Sequence, residues 1–227
     1  MKKRALLTVS DKRAIAPFAL SLQELGYEIV STGGTADSLR KGGVERVLDV
    51  SEVTGFPEML DGRVKILHPA IQAPILSEDT IKHNAVLDSY GWSRFEVVAC
   101  NLYPFSQKIA EPGCTYAEAN ENIDIGGPTA IRAGCKGDRY VVVNYLYYET
   151  VVKALKDPLS ASKGIAQMAH EITGSWIYAE IIEAKKDPSE ILRYLRWLLK
   201  IAVFKHTAVY ENAIYSYELN TMIASLQ

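Results

Sequence analysis

The chain predicts an α/β fold in which a parallel sheet is flanked by helices and followed by a helical C-terminal part. Three observations predict it. Short, nearly continuous apolar runs rich in Val and Ile alternate with segments of helical spacing, the pattern of strands buried on both faces. Glycine and hydroxyl residues follow directly on these runs, as tight strand-to-helix turns require. From about residue 148 the β-branched runs stop, and only helical periodicity remains.

"ALLTVS" (5–10) reads as the first strand, and "RAIAPFALSLQELG" places Ile15, Phe18, Leu22 and Leu25 at helical spacing before Gly26. "YEIVST" (27–32) is a second strand that stops at Gly33-Gly34; "TADSLRKGG" then predicts a short helix capped by Thr35 and ended by glycine. "ERVLDV" (45–50), "FEVVACNLY" (95–103) and "RYVVVNYL" (139–146) are further strands. Helical patterns lie at 78–90 and 115–122, the second with Thr115 and Glu118 at capping-box spacing. "DPLSASKG" (157–164) reads as a linker, and beyond it "ITGSWIYAEIIEAKK" and a long segment opened by Asp187-Pro188 are helical. The division predicted is an α/β core over residues 1–150 and a helical extension over 151–227 packed on that core.

With 227 residues, 48% of them hydrophobic, the chain can bury a substantial core. The formal charge of −2 is spread along the chain, and there is no basic stripe with interleaved aromatics, so neither nucleic acid nor an anionic membrane is an expected partner. Cys100, Cys114 and Cys135 are odd in number and lack CxxC spacing, which points to a reducing, cytoplasmic setting. The apolar run after the basic start is too short for a signal segment, and "WLLKIAVF" is broken by Lys200 and too short to span a membrane.

In parallel α/β sheets ligands bind outside the carboxyl ends of the strands, so the residues just after each run are the candidates. The first run ends in Thr8, Ser10, Asp11 and Lys12, and the second in Ser31, Thr32, Gly33, Gly34 and Thr35. Glycine, hydroxyls and a helix N-terminus together can cradle a phosphate; "STGGT" is equally a tight turn when taken alone. In "GFPEMLDGRVKILHP" (55–69), Arg63 and Lys65 project to one side of an extended backbone and offer a guanidinium fork and an ammonium to one anion. Asn101 and Tyr103 end the run before "YPF" and carry an amide and a phenol suited to a polar heterocycle. Asp124 precedes the Gly126-Gly127-Pro128 corner, where Pro128 is expected at a first helical position, with Lys136 about three turns on. His68 and His206 read as structural histidines.

"TVSDK", "VSTGGTA", "DVSEVTGFPEMLDGRVKILHP", "VACNLYPF", "ENIDIGGP" and "FKHTAVYENAI" together resemble the inosine monophosphate (IMP) cyclohydrolase domain of the bifunctional purine-biosynthesis enzyme. The resemblance is dense over residues 4–145 and returns at 203–217. It implies a methylglyoxal-synthase-like, Rossmann-like three-layer fold, a homodimer, and no metal or organic cofactor. The implied reaction is dehydrative ring closure of 5-formamidoimidazole-4-carboxamide ribonucleotide (FAICAR) to IMP. By the same resemblance, Ser10, Asp11 and Lys12, Thr32 to Thr35, and Arg63, Val64, Lys65 and Ile66 surround the nucleotide. Cys100, Asn101, Asp124 and Ile125 meet the base, and Lys136 aligns with a proton donor and acceptor.

Ring closure requires positioning, oxyanion stabilisation and proton transfer. Lys65 with N–H groups near Gly126 and Gly127 is assigned to the oxyanion, and Lys136, Asp124 and Tyr103 to protons. The chain departs from the family pattern at Ile66, where threonine is usual, and at Gly137-Asp138, where Asn-His is usual. Residues 146–202 match poorly, and the sequence contains no formyltransferase domain, which predicts a separate formyl-transferring enzyme. A methylglyoxal synthase and a non-catalytic nucleotide-binding regulatory domain are the competing readings.

Overall fold

Five short strands align in parallel, and the three central ones carry runs buried on both faces of the sheet. In the computed structural model, which describes residues 2–226, they are β1 (Lys3–Leu7), β2 (Tyr27–Ser31), β3 (Val47–Asp49), β4 (Phe95–Ala99) and β5 (Tyr140–Val142). The sheet order is β3-β2-β1-β4-β5. Leu6 pairs with Val30 on one side and Val98 on the other. The chain therefore builds outward from β1 to β3, then crosses back and builds from β4 to β5. That reversal opens a crevice between the carboxyl ends of β1 and β4.

The helices between strands are α1 (Ile15–Glu24), α2 (Gly33–Lys41), α3 (Val50–Thr54), α4 (Pro69–Leu76), α5 (Ile81–Ser89), α6 (Phe105–Ile109), α7 (Tyr116–Glu121) and α8 (Gly126–Lys136). After β5 come α9 (Tyr148–Lys156), α10 (Pro158–Thr173), α11 (Trp176–Glu183) and α12 (Pro188–Ser225). Helix α1 buries Ile15, Phe18 and Leu22, the stripe its spacing predicts. The capping box at Thr115 and Glu118 closes reciprocally, and Asp187 caps α12 by accepting from Ser189 N. The sheet core is complete on both faces: Leu6, Leu7, Ile29, Val30, Val97 and Val98 are all fully buried. Each contributes roughly 1.5–3 kcal/mol of transfer free energy. The same apolar cluster runs on into Val151, Ile165, Leu195 and Leu199, so α9, α10 and α12 pack on the sheet side of the molecule.

Three local expectations change. Residues 157–164 are not a linker: Asp157 accepts from Leu159 N and Ser160 N, Pro158 takes the first helical position, and α10 begins there. Helix α2 begins at Gly33 rather than Thr35, with Thr32 at the cap position. Thr35 instead turns inward, its hydroxyl donating to Val9 O and accepting from Val9 N. Pro128 is the third residue of α8, not the first, since the helix opens at Gly126. His68 caps α4, its Nδ1 accepting from Ala70 N, which bears out its structural reading. Among the described residues no helix is long and apolar enough to cross a membrane.

Candidate active site

The crevice opens into a cavity of about 510 Å³, walled by the segments that follow β1, β2 and β4, by the 61–67 loop and by the start of α8. Of the residues singled out from sequence, Ser10, Lys12, Thr32, Gly34, Thr35, Arg63, Lys65 and Ile66 line it. So do Cys100, Asn101, Tyr103, Asp124, Ile125, Gly126 and Gly127. Segments more than a hundred residues apart in sequence thus share one space.

Four of the expected residues stand outside the walls. Asp11 faces a neighbouring cavity and turns its carboxylate to Arg13, accepting from Nε at 2.9 and 3.0 Å. That guanidinium holds the Asp11 carboxyl below its usual range. Val64 bridges Met59 in an antiparallel pair, so backbone alternation sends it away from Arg63 and Lys65. Gly33 opens α2 behind the Thr32 and Gly34 wall. Lys136 is exposed at the far end of the 11-residue α8, about 15 Å along the axis from Gly126. Lys65 thus lines the cavity and Lys136 of the same chain does not, the length of α8 separating Lys136 from the Gly126 wall.

Two helix N-termini point into the cavity. Helix α2 has no side-chain cap, because the Thr32 hydroxyl is engaged with the Thr8 hydroxyl at 3.0 Å, so its first N–H groups stay available to an anion. Helix α8 places Gly126 and Gly127 at the opposite wall. A Cβ on Gly127 would lie 2.6 Å from Asp124 Oδ2 and 2.7 Å from Leu102 Cδ2, so a side chain there displaces both.

Charge in the cavity is mixed and mostly partnered. Lys12 is half-buried with its ammonium on the carbonyls of Val9 and Ser10. Burial lowers its pKa, Asp11 opposes that shift, and the nearby Lys65 adds to it. Lys65 Nζ lies 3.8 Å from Glu58 Oε2. Arg63 is clamped by Glu121, with Nε 3.2 Å from Oε1. Glu121, Asp61 and Asn120 are wall residues that sequence reasoning missed, because nothing local ties them to the cationic loop.

Asp124 is the least exposed carboxyl group of the cavity. Burial pushes its pKa up, while backbone N–H groups of Gly127 and Tyr103 and the charge of Lys65 pull it partly back. Its Oδ1 accepts from Gly127 N at 2.8 Å. Tyr103 has its phenol pKa raised by burial and by Asp124, so it stays protonated. Full burial likewise keeps the Cys100 thiol neutral, which argues against a thiolate nucleophile. Asn101 Oδ1 accepts from Ser10 N at 2.7 Å and Asp11 N at 2.9 Å, so its carbonyl stitches the β4 loop to the β1 loop rather than facing a ligand.

A parallel five-stranded sheet with a polar, anion-ready crevice at its strand reversal defines a small-ligand α/β domain, and the chain belongs to the MGS-like domain family, matched over residues 14–129. Its relatives are more specific. It is 39% identical over 218 residues to the bifunctional purine biosynthesis protein PurH of Bacillus thuringiensis subsp. konkukian (strain 97-27), and equally to that of Bacillus anthracis. Those alignments cover 96% of this chain but 37% of each relative's length. The crystal structure of ForH superposes with a TM-score of 0.71 at 27% identity, covering 95% of this chain and 98% of ForH.

Proposed function

We propose that this chain is an IMP cyclohydrolase that closes the ring of FAICAR with loss of water. The observation that supports it most is the convergence of Lys65, Asp124, Tyr103 and two helix N-termini on one cavity, in a chain similar to purine biosynthesis proteins. In this reading the phosphate sits at the N-terminus of α2, against Thr32, Gly34 and Lys12. Arg63 joins it by exchanging Glu121 for the ligand. The imidazole carboxamide then faces α8.

The carboxamide nitrogen forms a bond to the formyl carbon, and the formyl oxygen becomes an oxyanion. Lys65 and Gly126 N–H stabilise it; Gly127 N–H does not, being already given to Asp124. Asp124 takes a proton from the attacking carboxamide nitrogen and Tyr103 protonates the oxyanion. Asp124 then returns its proton to that oxygen as the C–O bond breaks, and the former formamide N–H gives its proton to the Tyr103 phenolate as the C=N bond forms, so water leaves and both groups are restored. Proton transfer is assigned to groups within the cavity, so Lys136 of the same chain has no part in it.

The proposal includes a homodimer in the cytoplasm, a division into the 1–150 core and the 151–227 helical extension, and no cofactor. Purified protein mixed with FAICAR should form IMP, followed by ultraviolet absorbance. Nucleotide binding without turnover would reject the catalytic reading in favour of a regulatory one.

A further inference from the structure

Two side chains of α12, His206 and Tyr210, lie one helical turn apart and share a face. Both reach loops of the cavity from behind. Tyr210 Oη accepts from Asp124 N at 2.6 Å and donates to Asn122 O at 3.3 Å, closing the turn that presents the Asp124 carboxylate. Leu102 N, between Asn101 and Tyr103, donates to His206 Nε2 at 3.4 Å. Neither the 100–104 segment nor the 122–125 segment has helix or strand of its own. Their orientation therefore depends on tertiary hydrogen bonds such as these.

The props are themselves held. Tyr210 is buried, and its ring meets the edge of Phe105 at 6.3 Å, directly after the Tyr103 loop. A hydroxyl on a fixed ring is a better brace than one on a mobile chain. His206 can accept from Leu102 only through an unprotonated Nε2, and its burial, which lowers its pKa, favours that neutral ring.

We infer that His206 and Tyr210 are positioning residues, which set Asp124 and Tyr103 at the reacting atoms from outside the cavity. The kinetic consequence rests on the cyclisation reading; the structural one does not. A misplacement on the order of 1 Å costs about a hundredfold in rate. Tyr210→Phe keeps the ring and its contact with Phe105 while removing the hydroxyl.

The test is kcat, KM and amide exchange on the purified wild type, Tyr210→Phe, His206→Gln, His206→Leu and Asp124→Asn with and without Tyr210→Phe. Tyr210→Phe should lose about 10- to 100-fold in kcat, with KM changed less than about threefold. It should add no further loss in the Asp124→Asn background. His206→Gln, which retains an acceptor, should keep roughly a third of kcat or more, and His206→Leu should fall with Tyr210→Phe. Exchange should accelerate over 122–127 in Tyr210→Phe and over 101–103 in His206→Leu. Wild-type kcat in Tyr210→Phe, or unchanged exchange in both variants, would overturn the inference. If the wild type does not cyclise FAICAR, the function fails on its own, and exchange still decides whether α12 braces these loops.

Discussion

Lys65 and Lys136 look alike in sequence, one in a cationic loop and one at the end of a glycine-rich helix, yet only Lys65 lines the cavity. Removing a preorganised oxyanion donor costs about 10²–10³ in rate. Lys65→Ala is thus expected to lose roughly that much of kcat while Lys136→Ala stays within about threefold of wild type. A matching loss in Lys136→Ala would mean that a second copy of the chain delivers this lysine to the cavity. Asp124 provides the pH dependence. Burial raises its folded pKa above the unfolded value, so between the two the folded state binds more protons, and stability falls as pH rises through the folded pKa. Asp124→Asn, which can still accept from Gly127, should therefore have a higher Tm at neutral pH and a kcat lowered by about 10²–10⁴-fold yet still measurable, read by thermal melts and the cyclisation assay. In the wild type kcat/KM should fall as pH drops through that raised pKa, because the proton acceptor is then filled.

At the level of elements, α8 explains one departure from the family pattern. A Cβ on Gly137 would lie 2.0 Å from the carbonyl oxygen of Ile75, so the end of α8 seats directly on the end of α4. Arg139 secures the same junction by donating to Ile75 O at 2.8 Å. Replacing Gly137 by the asparagine usual in the family should destabilise the chain by about 1–3 kcal/mol in urea unfolding, since one helix or the other must shift. Gly127→Ala should behave differently: its clash is with Asp124 and Leu102, so turnover should fall further than stability. Ile66 has a packing role of the same kind, buried against Gly126, which accounts for an apolar side chain where a phosphate-binding hydroxyl was expected. The capping box of α7 and the Asp-Pro start of α12 were legible because capping chemistry is contained within four residues. The Asp157-Pro158 start of α10 carries the same signal, but the small polar residues after it give the stretch the composition of a linker.

Across the whole molecule, the helices after β5 share the apolar cluster of the sheet. Leu195 is fully buried in that cluster, and Leu195→Ala should cost about 2–5 kcal/mol. Unfolding of a Trp92→Phe variant, followed by the fluorescence of Trp176 and Trp197 in α11 and α12, should coincide with loss of nucleotide binding at the sheet. Two separated transitions would show instead that the helical part folds apart from the core. The chain alone determined the alternation of strand and helix, the parallel sheet and the loops that carry ligand-binding groups. Periodicity, turn glycines and hydroxyls act over a few residues, so their meaning survives without coordinates. Tertiary structure decided which of those groups meet. The Arg63 clamp by Glu121 spans 58 residues and the Tyr210 brace on Asp124 spans 86, while Asp11 and Lys136 are turned away by a neighbouring guanidinium and by the length of a helix. Contacts at such separations are set by the order of strands in the sheet and the packing of α12 behind it, neither of which any short stretch of residues encodes.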